Sequence, residues 1–190
     1  MRDGLSQHLG AVAKLIELEH ADRYPQAIVD AMKDMGLFGL MIPEEYGGLG
    51  ESLLTYALCV EELARGWMSV SGVINTHFIV AYMIRQHGTD DQKRYHLPKM
   101  ATGESRGAFS MSEPELGSDV AAIRTRARKN GDGTYTIDGQ KMWLTNGGSS
   151  TLVAALVRTD EGADDELGIP RDKQRPILKV EGRTRQGTER

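Results

Sequence analysis

Apolar positions recur every three to four residues through the first hundred positions of the chain, and every second residue after that. In "YPQAIVDAMKDMGLFGL", Ile28, Met32, Met35 and Leu37 fall at helical spacing. Pro25 is acceptable in a first turn, and Gly36 is a natural stop. "ESLLTYALCVEELARG" puts Leu53, Tyr56, Ala57, Val60, Leu63 and Ala64 on one helical face, and Gly66 follows the last turn as a cap. "SGVINTHFIVAYMIRQHG" is the most apolar helical pattern and is expected to lie deepest. "DDQKRYHLPKMATGE" opens on acids, as the helix dipole favours, and Pro98 is expected to limit its helical part. "IPEEYGGLGE" is a Pro- and Gly-rich connection between the first two helices.

Near Gly103 the period changes. Ile123 to Arg128 alternate apolar and polar, "NGDG" interrupts, and the alternation resumes through Tyr135 and Ile137 before Asp138-Gly139. Asn-Gly and Asp-Gly between alternating stretches signal hairpins, because both tolerate positive φ. "TLVAALVRT" reads as one further, more buried strand. The pattern predicts an α+β protein. An N-terminal α-helical bundle spans 1–104, an incomplete antiparallel β-domain spans 105–160, and a divergent basic tail spans 161–190, open to three readings: a diverged ending, a disrupted reading frame or disorder.

Composition narrows the function classes. In 190 residues, 39% hydrophobic content is enough for a core. A net charge of −4 argues against nucleic acid as a partner. The total hides an asymmetry, since residues 171–190 hold seven Lys/Arg against three acids. Cys59 lies in a helical pattern and reads as an inert thiol. The five histidines (His8, His20, His77, His87 and His96) show no ligand spacing, so no metal is expected. With no signal-peptide pattern and no apolar run read as spanning a bilayer, the expectation is a cytoplasmic protein without a membrane partner.

Two segments carry candidate chemistry. "GAFSMSEPELGSD", residues 107–119, is a short strand, a Ser112-Glu113-Pro114 turn and a Gly117-Ser118-Asp119 end. Gly117 permits close approach, and hydroxyls with successive amides suit phosphate or carbonyl oxygens; a plain turn between strands is the alternative. "KMWLTNGG", residues 141–148, places Trp143 on a strand before a turn, with Thr145 on the same face. A flat aromatic beside a hydroxyl suits a planar heteroaromatic ligand, and a half-buried strand Trp is the alternative.

Together with "MGLFGLMIPEEYGGLG", "EELAR" and "HGTDDQKRYHLPKMATGE", these segments closely resemble the acyl-CoA dehydrogenase family, in order and spacing, over roughly residues 20–160. The resemblance implies FAD, an acyl-CoA substrate, a place in fatty acid metabolism, a homo- or hetero-oligomer and electron-transfer flavoprotein as a partner. It implies α,β-dehydrogenation: a carboxylate base removes the α-proton while the β-carbon delivers hydride to flavin N5. It lays Phe109 to Ser118 along the flavin, with Met111 and Ser112 facing the isoalloxazine. Ser118 then lies where the FAD pyrophosphate and the CoA-bearing substrate come close. Trp143 packs on the ring, and Leu144 and Thr145 hydrogen-bond near N5 and O4. By the same resemblance Glu113 and Asp119 are turn-forming acids and not bases.

After about Thr159 the pattern departs from the family's. The family's C-terminal helical domain, with its catalytic glutamate, is not recognised in the 190 residues, so no catalytic residue is assigned and the chain alone is expected to be inactive. Three readings stay open: an enzyme completed by another segment, a non-catalytic flavin or acyl-CoA binder, and a related flavin monooxygenase.

Overall fold

Helix α1, Gln26–Asp34, starts directly after Pro25, whose missing N–H costs nothing in a first turn. The computed structural model describes residues 24–159, together with Glu17; the basic tail expected over 161–190 lies outside the described residues. Val29 and Met32 are the buried side chains of α1. The expected face holds at Met32 but not at Met35, which is 60% exposed because the helix ends one residue before it. Gly36, at φ 73°, then turns the chain into two short 3-10 turns, Leu37–Gly39 and Glu44–Tyr46.

Helix α2, Leu53–His87, opens on Ser52, whose hydroxyl accepts from the Thr55 amide at 3.2 Å. It is broken at Trp67 (φ −157°, ψ 107°), one residue after Gly66, so the two helical patterns in the sequence are its two halves. The second half is the core of the molecule: Val70, Val73, Ile74, Phe78, Val80, Ala81 and Ile84 are buried. The first half is covered far less than its pattern implies. Tyr56, Val60, Leu63 and Ala64 are half-buried, whereas Leu53 and Ala57 are exposed. By length and composition α2 could cross a bilayer, contrary to the expectation from the sequence. The buried apolar side chains of its second half form a core with α1, α3 and β1.

Helix α3, Asp90–Ala101, begins with a reciprocal cap: Thr89 Oγ1 accepts from the Gln92 amide, and the Gln92 side chain accepts from the Thr89 amide. It runs through Pro98, which was expected to end it. A proline inside a helix costs about 3 kcal/mol. Burying Leu97 and Met100, each fully enclosed, returns about 1.5–3 kcal/mol apiece and keeps the last turn in place.

Among the described residues the β part has five strands: β1 Gly107–Ser110, β2 Arg126–Lys129, β3 Tyr135–Asp138, β4 Leu152–Ala155 and β5 Arg158–Thr159. β2 and β3 form the expected antiparallel hairpin, pairing Ala127 with Ile137. Pairing elsewhere is mixed rather than purely antiparallel, since β1–β4 and β2–β5 are parallel. The physical reason is the long connection: between Ser110 and Leu152 the chain makes the whole hairpin, which returns β4 in the direction of β1. The single strand expected in "TLVAALVRT" is two, because Leu156 and Val157 carry the chain from one sheet to the other. β1 lies directly on α2. A Cβ added to Gly107 would come within 2.7 Å of Val80 Cβ, so the two backbones approach this closely only with glycine there.

Candidate functional site

The two segments singled out in the sequence meet in space. The Met142 amide donates to the Ser112 carbonyl at 2.9 Å, and Lys141 Nζ donates to the Met111 carbonyl at 2.9 Å. Lys141 also reaches Glu113 Oε1 at 3.0 Å, with both side chains largely buried. Lys141 was quoted in the motif without a role. Its partners lie 30 and 28 residues away in the chain, so no local signal marks it.

Glu113 is fully engaged. Its carboxylate accepts from the Arg124 amide at 2.7 Å, the Thr125 amide at 2.9 Å and Lys141. Its backbone closes a turn with Leu116, donating at 2.8 Å and accepting at 3.2 Å. The Thr125 hydroxyl beside it, against the opposing effect of burial, and then the amides and Lys141 hold its carboxyl down to about 2, from an ordinary 4.5. A carboxylate held this way is a poor proton acceptor near neutral pH and a good structural clasp. Asp119 caps the short 3-10 turn Val120–Ala122 with its carbonyl, accepting from the Ala122 amide at 3.3 Å, and its side chain makes no cap bond.

Trp143 does not lie on a strand. β3 ends at Asp138, and Trp143 adopts φ 58°, with Asn146 at φ 65°. The left-handed region is strained for a bulky side chain, at a cost of about 1–2 kcal/mol. The alternation that predicted a shared face with Thr145 therefore fails, because Gly139 (φ 145°) takes the chain out of the extended pattern. Trp143 is 83% exposed, which also removes the half-buried core reading. A strained backbone presenting a large aromatic to solvent is the kind of outlier that points to a ligand. Thr145 is exposed beside it, and Leu144 is half-buried.

On the facing segment, Phe109 is half-buried against the core, and Met111 and Ser112 are half-buried at the end of β1. Ser118 is exposed, just past Gly117, where an added Cβ would sit 4.0 Å from Ser112 Oγ. The rim thus offers one flat aromatic, the hydroxyls of Ser112, Ser118 and Thr145, and the amides of two turns. That donor set fits a planar heteroaromatic ring with acceptors along one edge and an anionic extension. The adjoining open cleft of about 260 Å³, lined by Glu113, Leu116, Arg124 and Gly139 among others, contains none of these rim residues. Among the described residues no cluster of His, Cys, Asp and Glu could hold a metal ion.

His77, not singled out in the sequence, anchors the base of the site. The Gly107 amide donates to Nδ1 at 3.3 Å, so the ring proton is on Nε2, which donates to the Phe38 carbonyl at 3.1 Å. Burial pushes its pKa down from 6.5 to about 4, so the ring is neutral near pH 7. Its side chain ties together α2, the Leu37–Gly39 turn and the start of β1.

The chain matches the family model described as acyl-CoA dehydrogenase, N-terminal domain, over residues 1–104, and that described as acyl-CoA dehydrogenase, middle domain, over residues 108–187. The second match extends into the basic segment beyond Thr159. The (2S)-methylsuccinyl-CoA dehydrogenase of Cereibacter sphaeroides is 41% identical over 145 residues, which are 76% of this chain and 26% of that protein. The butyryl-CoA dehydrogenase of Megasphaera elsdenii superposes with a TM-score of 0.72 at 33% identity, over 84% of this chain and 44% of that one. A glutaryl-CoA dehydrogenase of Mycobacterium smegmatis in complex with FADH2 superposes with a TM-score of 0.70 at 26% identity, over 83% of this chain and 43% of that one. The chain therefore spans less than half the length of these relatives.

Proposed function

Because this chain belongs to the acyl-CoA dehydrogenase family, we propose that it supplies the flavin- and substrate-contacting part of an FAD-dependent enzyme that dehydrogenates an acyl-CoA thioester between its α- and β-carbons. The observation that carries the reading is the junction of Met111–Ser112 with Met142, beside an exposed Trp143 on a strained backbone. Bound FAD supplies the acceptor for the hydride leaving the β-carbon. Trp143 offers its ring face for stacking. Thr145 and Leu144 offer hydroxyl and amide donors to the ring edge, where donors favour the reduced anionic form. Met111 and Ser112 would face the ring system, with Phe109 beside them, and Ser118 would lie where the pyrophosphate and the CoA-bearing substrate come close.

The proton from the α-carbon goes to a base outside the residues described. Glu113 is the buried carboxylate beside the rim, and its bonds to two amides and Lys141 leave it no capacity for the role. The finer features, an oligomer and electron-transfer flavoprotein as the electron acceptor, belong to this same reading.

Loading the chain with FAD and adding butyryl-CoA and methylsuccinyl-CoA anaerobically tests it. The expected result is a shift of the visible flavin band on adding an acyl-CoA, with the colour retained. Rapid bleaching that Glu113→Gln abolishes would overturn the assignment of the base. An unchanged spectrum with every acyl-CoA would overturn the substrate-contacting role.

A further inference from the structure

The side chain of Asn146 links the Trp143–Thr145 turn to the two elements beneath it. Its Nδ2 donates to the Val73 carbonyl at 2.8 Å, in the middle of α2, and to the Gly107 carbonyl at 3.2 Å, at the start of β1. Thr76 Oγ1 lies at 3.4 Å from the same nitrogen. An amide nitrogen has two hydrogens, and the two carbonyls use both. The backbone of Asn146, at φ 65°, is in the left-handed region that asparagine enters more readily than most residues. Its carbonyl accepts from the Ser149 and Ser150 amides at 3.0 and 2.8 Å, while Gly147 donates to the Leu144 carbonyl at 3.0 Å. One residue thus closes the turn internally and fastens it externally.

The surface it fastens to is shaped for the turn. A Cβ added to Gly72, the residue before Val73 on α2, would lie 3.6 Å from Thr145 Cγ2, so the Thr145 methyl group rests over that bare stretch of helix. The Thr76 hydroxyl donates to the Gly72 carbonyl at 2.8 Å and is occupied within the helix. We infer that Asn146 is a positioning residue: its side-chain amide sets the place of Trp143 and Thr145 relative to α2 and β1, and so the seat of the flavin edge. The inference rests on the reading of that turn as a flavin edge, and its test separates the two.

The full chain is compared with Asn146→Asp, Asn146→Gly and, as a control, Asn130→Asp. Asn130 makes comparable side-chain bonds, to Thr134 and Thr136, in the distant hairpin. Hydrogen exchange at the Gly147, Ser149 and Ser150 amides reads the turn directly, without cofactor. FAD affinity and the visible absorption envelope read the seat. In Asn146→Asp an ionised carboxylate faces two carbonyls, so exchange at the three amides rises about tenfold or more and FAD affinity falls about tenfold, the loss of one to two hydrogen bonds. Lowering the pH protonates that carboxyl, which then donates one bond, and part of both losses returns. Asn146→Gly keeps the backbone region, gives the same losses with only the parent chain's own pH dependence from His77, and serves alone if the aspartate variant does not fold. Asn130→Asp moves neither readout.

Unchanged exchange in both Asn146 variants would overturn the clamp. Faster exchange with unchanged FAD affinity and spectrum would overturn its positioning role. A wild-type chain that takes up no FAD would overturn the flavin reading, while the exchange comparison still decides whether Asn146 holds the turn.

Discussion

Two buried polar side chains hold the site without belonging to its chemistry, and each carries its own pH signature. The Glu113 carboxyl is depressed to about 2 from 4.5. Its contribution is therefore complete above about pH 4.5 and is lost as the pH falls toward 2. Glu113→Gln removes that slope and leaves Lys141 without its ion partner, so the melting temperature at pH 7 falls by several degrees, as thermal melts across pH will read. His77 is depressed to about 4 from 6.5 by burial. The unfolded chain binds the proton more readily than the folded one between those values, so stability is full above pH 6.5 and declines by about 3 kcal/mol as the pH falls to 4. His77→Phe keeps an aromatic ring but leaves the Phe38 carbonyl and the Gly107 amide unpaired. It costs about 2–4 kcal/mol at pH 7 in urea unfolding and abolishes the slope from pH 6.5 down to about 4.5, where the Glu113 slope begins.

At the scale of elements, the decisive contact is β1 laid on α2, and Gly107 permits it. Gly107→Ala would force its methyl into Val80 and costs about 1–3 kcal/mol by denaturant unfolding, with the loss spread to the rim segments because both are bonded to that junction. Helix existence was legible in the periodicity. So were the Gly36 stop, the break beside Gly66 and the β2–β3 hairpin, since each rests on local spacing or a local turn residue. The continuation of α3 through Pro98 was not legible, because burial of Leu97 and Met100 across the core decides it. The parallel pairing of β1 with β4 was hidden for the same reason, being a contact between residues far apart in the chain. In the candidate site, Trp143 and Thr145 were open to a local reading as an aromatic beside a hydroxyl, while Met111 and Ser112 enter only through the family resemblance of their motif. The left-handed backbone at Trp143, the Lys141–Glu113 pair and the anchors at His77 and Asn146 come from long-range geometry that no local pattern encodes.

For the molecule as a whole, the second half of α2 is the frame to which the candidate site is fastened. His77 holds the start of β1, Val73 receives Asn146, and Gly72 faces Thr145. The helical part and the β part therefore act as one unit at the rim, even though the chain covers less than half of its relatives' length. The central claim is that this rim binds a flavin through the face of Trp143 and the hydroxyl of Thr145. The most direct measurement is an equilibrium titration of FAD against the chain and against Trp143→Ala, followed by flavin fluorescence, with thermal melts in parallel. Trp143 is exposed and contributes little to the core, so the variant is expected to melt within about 0.5 kcal/mol of the parent while its FAD affinity falls about tenfold or more. A chain that does not take up FAD, or a Trp143→Ala variant that binds it as tightly as the parent, would contradict the account.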